Sequence, residues 1–260
     1  MILSYDIPDL EPYINWPYFY FAWQLKQQEE QMRIRQEADD FLHSMTGRYK
    51  VHALFKLYNA HSDGDDIVIE GASVTIPLLR QQTGRAPYLS LADFIRPTSD
   101  RIGLFATSTD IGMETDFQHD PYQKMMAQLL ADRLAEAAAE RMHEAVRKQY
   151  WGYAADEQLS IEELHQEHFQ GIRPAVGYPS LPDTSLNFLL DQLIDMKQIG
   201  IRLTESGAMR PHASVSGLMM AHPQARYFSI GKIGTDQLTD YARRRGLPVE
   251  IVRKFLSANL

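Results

Sequence analysis

The sequence contains no cysteine, and this absence excludes several kinds of site at once. Disulfides, thiolate-held zinc, iron–sulfur clusters and cysteine nucleophiles all require that side chain. The histidines lack the His-Glu-x-x-His spacing of zinc enzymes, and the acidic turn at 63–66 lacks the ligand spacing of a calcium loop. We therefore predict no metal site, and the missing cysteines favour the cytoplasm as the location.

Long apolar runs and an excess of basic residues are missing as well. No stretch of about 18 apolar residues occurs, so the sequence predicts no membrane span. The 260 residues carry 26 Lys and Arg against 34 Asp and Glu, a formal net charge of −8. Binding of nucleic acid requires a basic surface, so we do not expect a nucleic-acid partner.

Glycine motifs that hold nucleotides or nucleophiles are also absent. There is no Gly-x-Gly-x-x-Gly, no βαβ alternation and no Gly-x-Ser-x-Gly elbow. Alternating apolar residues at 49–58 and an Asp-Gly turn before 67–69 predict a β-hairpin. A second hairpin is predicted from 213–221 and 227–233. These patterns favour an antiparallel sheet over a Rossmann fold.

Helical periodicity fills much of the remaining chain. It predicts helices over 18–45, 121–150, 235–245 and 249–256, and a capping box at 160–163 opens another helix that ends at Gly171. No linker or repeat interrupts the pattern. We therefore predict an α+β fold in a single domain over residues 1–260.

The stretch at 171–182 differs from all of this, because it reads GIRPAVGYPSLP. Its three prolines fix φ and lack amide donors, so the segment cannot be a helix and makes a poor strand. We predict a stiff, extended path with a break at Gly177. Irregular backbone of this kind binds small polar ligands through main-chain contacts.

Arginine and aromatic residues in and near this stretch are the first candidate ligand contacts. The fork of Arg173 suits a carboxylate, although an ion pair with Glu167 or a neighbouring helix end explains it equally well. Aromatic faces at Tyr178, Tyr227 and Phe228 suit an adenine ring or a sulfonium cation. Such rings are more often core residues, so both interpretations stay open.

Two glutamates are weaker candidates. Glu136 lies mid-helix among alanines, where a solvated face with Arg133 or Arg141 as its partner is the alternative. Glu205 follows a predicted strand and is expected to support the proline-rich stretch. No residue is predicted to act as an acid, a base or a nucleophile.

Six spaced motifs and four N-terminal ones give the chain a resemblance. They are ADRLAEA at 131–137, WGYA at 151–154, GIRPAVGYP at 171–179, LTES at 203–206, ASVSG at 213–217 and DYARR at 240–244, with PYINW at 12–16, GDDI at 64–67, LRQQ at 79–82 and LADF at 91–94. Together they resemble the C-terminal activation domain of cobalamin-dependent methionine synthase, over nearly the whole chain.

The resemblance implies a fold, a function and partners. The fold is a single C-shaped α+β domain with a twisted antiparallel sheet and flanking helices. The function is to bind S-adenosylmethionine and support the reductive methylation of cob(II)alamin to methylcobalamin in methionine biosynthesis. The partners are the cobalamin-binding domain of methionine synthase, which alone carries the cobalamin, and flavodoxin or an equivalent reductase.

The resemblance also implies roles for individual residues. Arg173 would hold the carboxylate of S-adenosylmethionine, and Glu136 would face its charged amino-acid end. Ala175 would contact the adenosine through its backbone. The groove would be lined by Tyr178, Tyr227 and the adjacent Phe228.

Further positions follow from the same resemblance. Glu37 corresponds to an aspartate that binds the ligand in the family, and Glu205 and Gly177 are expected as support behind the site. Asp183 and Thr184 stand where the family has a histidine, on the side expected to face the cobalamin partner.

The sequence lacks the rest of a methionine synthase. It has no Asp-x-His-x-x-Gly cobalamin motif and no thiolate site for homocysteine. We therefore expect a free-standing or excised unit of a methyltransferase system that supplies only the methyl-donor site. The alternative is a non-catalytic module that senses S-adenosylmethionine or docks a corrinoid protein.

Overall fold

A computed structural model of the chain describes residues 1–260, with an antiparallel sheet as its central element. The strands are β1 (Ile2–Asp6), β2 (Lys50–Asp63), β3 (Asp66–Ile69), β4 (Val74–Pro77), β5 (Asp100–Thr109), β6 (Arg202–Leu203), β7 (Met209–Arg210) and β8 (Ser214–Met219). Six of them form one sheet in the order β4-β3-β2-β5-β8, with β1 also paired to β2, while β6 and β7 form a separate ribbon. The sheet curls into a half-barrel, which confirms the α+β prediction.

Nine helices flank the sheet. They are α1 (Ile7–Leu10), α2 (Trp16–Ala22), α3 (Gln28–Met45), α4 (Gly112–Thr115), α5 (Pro121–Ala145), α6 (Ile161–His165), α7 (Leu186–Ile194), α8 (Thr235–Arg245) and α9 (Val249–Phe255). The longest, α5, begins where the Asp120 side chain accepts the free N–H groups of Tyr122 and Gln123. None of the helices is long and apolar enough to cross a membrane.

Apolar side chains that point alternately to the two faces of the central strands form a core on each face of the sheet. On one face, Val51, Phe55 and Phe105 pack with α3 and α5. On the other, Leu54 and Leu104 pack with the helix and loops around α7. Since successive residues of a strand point to opposite faces, the period-two pattern in the sequence sets both cores.

The helix predicted over 18–45 is two helices. Gln24 adopts a left-handed backbone with φ of 58°, which ends α2 and separates it from α3. The helix that follows the capping box is also shorter than predicted. It ends at His165 because Glu167 has φ of 59°.

The first predicted hairpin is confirmed, and the second is wrong. Asp63 pairs with Asp66 across the predicted turn, joining β2 to β3. Residues 227–233 form no strand, because the proline-rich stretch occupies the edge of β8 that they were expected to pair with. Their backbone contacts other segments instead, with the Ile230 N–H donating to the Pro179 carbonyl over 2.9 Å.

Residues 171–176 lie antiparallel along β8. Ile172 exchanges backbone hydrogen bonds of 2.9 and 3.0 Å with Met220, and the Leu218 N–H donates to the Pro174 carbonyl over 3.0 Å. The Val176 N–H donates to the Ser216 carbonyl over 2.9 Å. Pro174 is tolerated because its carbonyl still accepts a hydrogen bond from β8, and its missing N–H costs only the one bond that would reach the Leu218 carbonyl.

Gly217 makes this close pairing possible. A Cβ atom at this position would lie 2.2 Å from the Pro174 carbonyl oxygen and 2.9 Å from the Cα atom of Ala175. Both are backbone atoms and cannot move aside without lifting the stretch from β8. Glycine is therefore required at this point of the strand.

We predict that Gly217→Ala lowers the free energy of unfolding by about 1–3 kcal/mol, the usual cost of forcing an extra carbon into a packed region. Urea unfolding measures it. The matched control is Gly103→Ala on β5, where the nearest atom is the flexible end of Met219. Equal losses in the two variants would contradict the backbone contact as the cause.

Candidate functional site

A cavity of about 670 Å³ opens between α5, the N-terminal arm and the proline-rich stretch. Six of the predicted ligand-contacting residues line it together: Glu136, Arg173, Ala175, Tyr178, Tyr227 and Phe228. They come from three parts of the chain that the sheet and α5 bring into one place. The volume lies in the range of about 300–1,000 Å³ that small-molecule sites occupy.

Arg173 lines the cavity and combines an internal ion pair with an edge that has no hydrogen-bond partner. Its Nη1 and Nη2 donate to the two carboxylate oxygens of Glu140 over 3.3 and 2.9 Å, and Nη1 also donates to His143 Nδ1 over 3.2 Å. The ion-pair partner is thus Glu140 on α5, and not Glu167. Nε makes no hydrogen bond within the protein, so one edge of the fork remains able to bind a ligand.

Arg173 belongs to a buried row of side chains near the end of α5. The other members of this row are Glu140, His143, Arg147 and Glu157. Arg147, fully buried, pairs with Glu157 over 2.7 Å and donates to His143 Nδ1 over 2.9 Å. Burial, together with the two guanidiniums, holds the pKa of His143 well below its usual range, so the imidazole is neutral. The two guanidiniums make Nδ1 the acceptor, and Nε2 therefore carries the proton toward the Tyr153 hydroxyl, 3.4 Å away.

Carboxylates outnumber guanidiniums in the lining of the cavity. Glu136 pairs with Arg133 over 2.8 Å, yet burial raises its pKa above the ordinary glutamate value. The Glu167 carboxylate forms no ion pair or hydrogen bond within the protein, and burial raises its pKa too. With Glu140 there are three carboxylates against the guanidiniums of Arg133 and Arg173, which leaves one formal negative charge. This lining favours a ligand of net positive charge.

Aromatic faces and one backbone amide supply the remaining surface of the cavity. The Tyr227 hydroxyl accepts the Arg173 backbone N–H over 2.9 Å, which fixes the ring beside the fork. Tyr178 is 54% exposed and lies at the mouth. The flanking groups of Pro174 and Val176 bond to β8, so the Ala175 N–H points away from the sheet, and it makes no hydrogen bond within the protein.

Glu37 lies outside this cavity. It is on α3, where it accepts a hydrogen bond from Tyr122 and lies 3.8 Å from Arg33. The predicted ligand contact at Glu37 is therefore not supported. The N-terminal arm contributes Asn15 instead, whose side chain makes no hydrogen bond within the protein. The analysis of the sequence missed this residue, although it lies in the quoted motif PYINW.

Asp183 points inward, and its predicted place on a partner-facing surface is wrong. The residue is 1% exposed and accepts a hydrogen bond from the Tyr241 hydroxyl over 2.7 Å. It also accepts the Ser185 N–H over 2.9 Å and lies 3.4 Å from Arg245. Its carboxylate thus ties α8 to the start of α7, and only the half-buried Thr184 reaches the surface.

The two residues expected behind the site differ in outcome. Gly177 has φ of 89° and donates its N–H to the Leu181 carbonyl over 2.8 Å, which confirms the predicted break in the stretch. Glu205 is exposed in the turn between β6 and β7 and makes no hydrogen bond or ion pair. Gly207, in the same turn, lies close to the Thr184 carbonyl, two residues beyond the end of the stretch.

Comparison with known proteins gives two findings. The family model described as the activation domain of vitamin B12-dependent methionine synthase matches residues 6–246. A solved structure, the MetH reactivation domain bound to AdoHcy, is 38% identical with a TM-score of 0.93. The match covers 100% of this chain and 90% of that one.

Both findings confirm the resemblance drawn from the motifs. The family match spans all but the ends of the chain, and the relative agrees in fold over the full length of this chain at 38% identity. The chain belongs to the family of the vitamin B12-dependent methionine synthase activation domain.

Proposed function

We propose that the chain binds S-adenosylmethionine in the cavity and supports the reductive methylation of cob(II)alamin to methylcobalamin. The cobalamin comes from the cobalamin-binding domain of methionine synthase, and the electron from flavodoxin or an equivalent reductase. Family membership and the relative bound to AdoHcy support this function. The observation that carries it is the open edge of Arg173, held beside an excess of carboxylates in one cavity.

The residues of the cavity fit the parts of this ligand. The open edge of Arg173 suits the ligand carboxylate, and Glu136 and Glu167 suit its ammonium and sulfonium charges. The rings of Tyr178 and Tyr227 offer faces for the adenine. The side chains of the cavity thus match a ligand that carries one carboxylate, one ammonium and one sulfonium.

The chain has no need of an acid or a base for this chemistry. When bound, S-adenosylmethionine supplies a methyl group on a sulfonium that is already a good leaving group. The residues of the cavity bind and orient, with Arg173 fixing one end of the ligand and the aromatic rings the other. Alignment of the reacting atoms is the contribution that a protein makes to such a transfer.

Removing the guanidinium of Arg173 should remove its hydrogen bonds to the ligand carboxylate. We predict that Arg173→Ala weakens AdoHcy binding by at least about thirtyfold, since truncating one partner of a buried charge pair costs about 2 kcal/mol or more. Arg173→Lys should fall between, because it keeps the charge and loses the fork. Titration calorimetry measures both. Arg141→Ala, which removes an arginine that pairs with Asp9 away from the cavity, is the control. Affinity unchanged in Arg173→Ala would contradict the assignment.

The affinity for S-adenosylmethionine should depend on pH through Glu136. A carboxylate must be ionised to attract a cation, and burial raises the pKa of Glu136 above 4.5. Affinity is therefore full above the raised pKa and falls as the pH drops through it. We predict that Glu136→Gln flattens this profile and weakens binding at neutral pH by about tenfold.

Calorimetry over a series of buffers tests the pH profile. Glu30→Gln, on the exposed face of α3, is the control and should keep the profile of the unaltered protein. A profile in Glu136→Gln identical to that of the unaltered protein would show that Glu136 is not the group that titrates.

Reductive methylation itself separates this function from a sensing or docking module. We predict that the protein converts cob(II)alamin on the cobalamin-binding domain to methylcobalamin when a reductant and S-adenosylmethionine are present. The absorption spectrum of the cobalamin reports the change. Arg173→Ala should not support it, since the ligand is no longer held. Binding of S-adenosylmethionine without any conversion would favour the non-catalytic module.

A further inference from the structure

We propose that Glu140 is a positioning residue, whose carboxylate holds the end of the Arg173 guanidinium so that the opposite edge faces the cavity in the orientation that a ligand carboxylate requires. This inference rests on the proposed function. It assigns to a residue on α5 a part in ligand recognition although its carboxylate is already committed to the arginine.

The hydrogen bonds of the guanidinium carry the inference. A guanidinium has five N–H donors in a fixed plane. Glu140 takes one hydrogen from each of Nη1 and Nη2, and His143 takes the second hydrogen of Nη1. The two that remain, on Nε and Nη2, lie side by side along one edge. This pair is the parallel fork that binds a carboxylate bidentately.

Glu140 is placed to hold that orientation firmly. It lies one turn of α5 from Glu136 and one turn from His143, on the same helical face, and is 7% exposed. His143 is fixed in turn by Arg147, which Glu157 pairs from the other side. An arginine held in this way has lost its rotamer freedom before the ligand arrives, so binding does not incur that cost again.

The negative charge of Glu140 and its hold on Arg173 have opposite effects on the affinity for a ligand carboxylate. Two carboxylates on one guanidinium repel each other, so neutralising Glu140 without moving Arg173 would strengthen the binding of a ligand carboxylate. If Glu140 positions the fork, the same substitution weakens it. The direction of the change therefore decides between the two roles.

The test compares three ligands on Glu140→Gln by calorimetry. AdoHcy carries a carboxylate and an ammonium, its deamino analogue carries only the carboxylate, and 5′-methylthioadenosine carries neither. We expect both carboxylate ligands to bind about tenfold more weakly than to the unaltered protein, as a misaligned bidentate contact predicts. Binding of 5′-methylthioadenosine should stay within about twofold, because it does not use the fork.

Asp66→Asn is the matched control. It makes the same change of a carboxylate to an amide at a mostly buried ion pair away from the cavity, that of Asp66 with Arg244. Both variants lose a charged partner of a mostly buried arginine, so a loss of stability from that change occurs in both. The control variant keeps the ion pair of Arg173 intact. We expect this variant to bind all three ligands as the unaltered protein does.

Two results would overturn the inference. One is binding of the deamino analogue to Glu140→Gln that is unchanged or tighter. The other is an equal loss for all three ligands, which indicates a general effect on the fold. Failure of the unaltered protein to bind AdoHcy would instead overturn the proposed function.

A measurement on the unaltered protein covers the case in which Glu140→Gln does not fold. The Nε–H signal of Arg173 in a ¹⁵N spectrum, assigned by its absence in Arg173→Lys, should be sharp without ligand and should shift with AdoHcy. It should not shift with 5′-methylthioadenosine. An Nε–H signal averaged by free rotation before ligand is added would contradict a fork held by Glu140.

Discussion

Four backbone hydrogen bonds between residues 172–176 and the edge of β8 are the constraint on which the site depends. They face one side of the stretch toward the sheet, which leaves the Ala175 N–H directed away from it. They form because Gly217 has no side chain to keep the two backbones apart. Pro174 is the one proline within the paired residues, and its missing amide donor removes a single hydrogen bond of the ladder, the one that would reach the Leu218 carbonyl. The stiffness of the stretch thus comes from its residues, and its position comes from β8.

The second constraint is that buried charges need partners. Arg147 and Arg173 each have a glutamate and share the neutral ring of His143 as an acceptor. An unpaired charge in such a place costs several kcal/mol, so the row is held together by the penalty for breaking it. Arg173 and its partner Glu140 also line the cavity. Under the proposed function, fold stability and ligand recognition therefore depend on the same side chains.

Local features of the sequence predicted local structure well, since the Asp-Gly turn predicted the hairpin of β2 and β3. Of the seven ligand contacts implied by the resemblance, six line one cavity. The errors concern contacts between distant segments. The partner of Asp183 is Tyr241, 58 residues later. Two segments, 171–176 and 227–233, could have paired with the free edge of β8, and only the first does so. Periodicity carries no information about either choice. Glu37 was named through the resemblance, as the counterpart of an aspartate of the family, and it lies on α3 outside the lining of the cavity, whereas Asn15 of the N-terminal arm is part of that lining.

The charge of the cavity bears on what happens after the methyl group has left. Transfer removes the sulfonium charge, so the ligand changes from net positive to neutral while its carboxylate and its adenosine are unchanged. A unit charge about 5 Å from an unmatched carboxylate, at an effective dielectric constant of about 20, gains about 3 kcal/mol, and the nearby guanidiniums reduce that value. In the proposed mode of binding, the contacts through Arg173 hold donor and product alike, whereas the excess of carboxylates favours the donor, because the donor alone carries the sulfonium charge. Under that proposal the site separates two tasks: the fork fixes the ligand, and the acidic lining distinguishes the methylated ligand from its demethylated product.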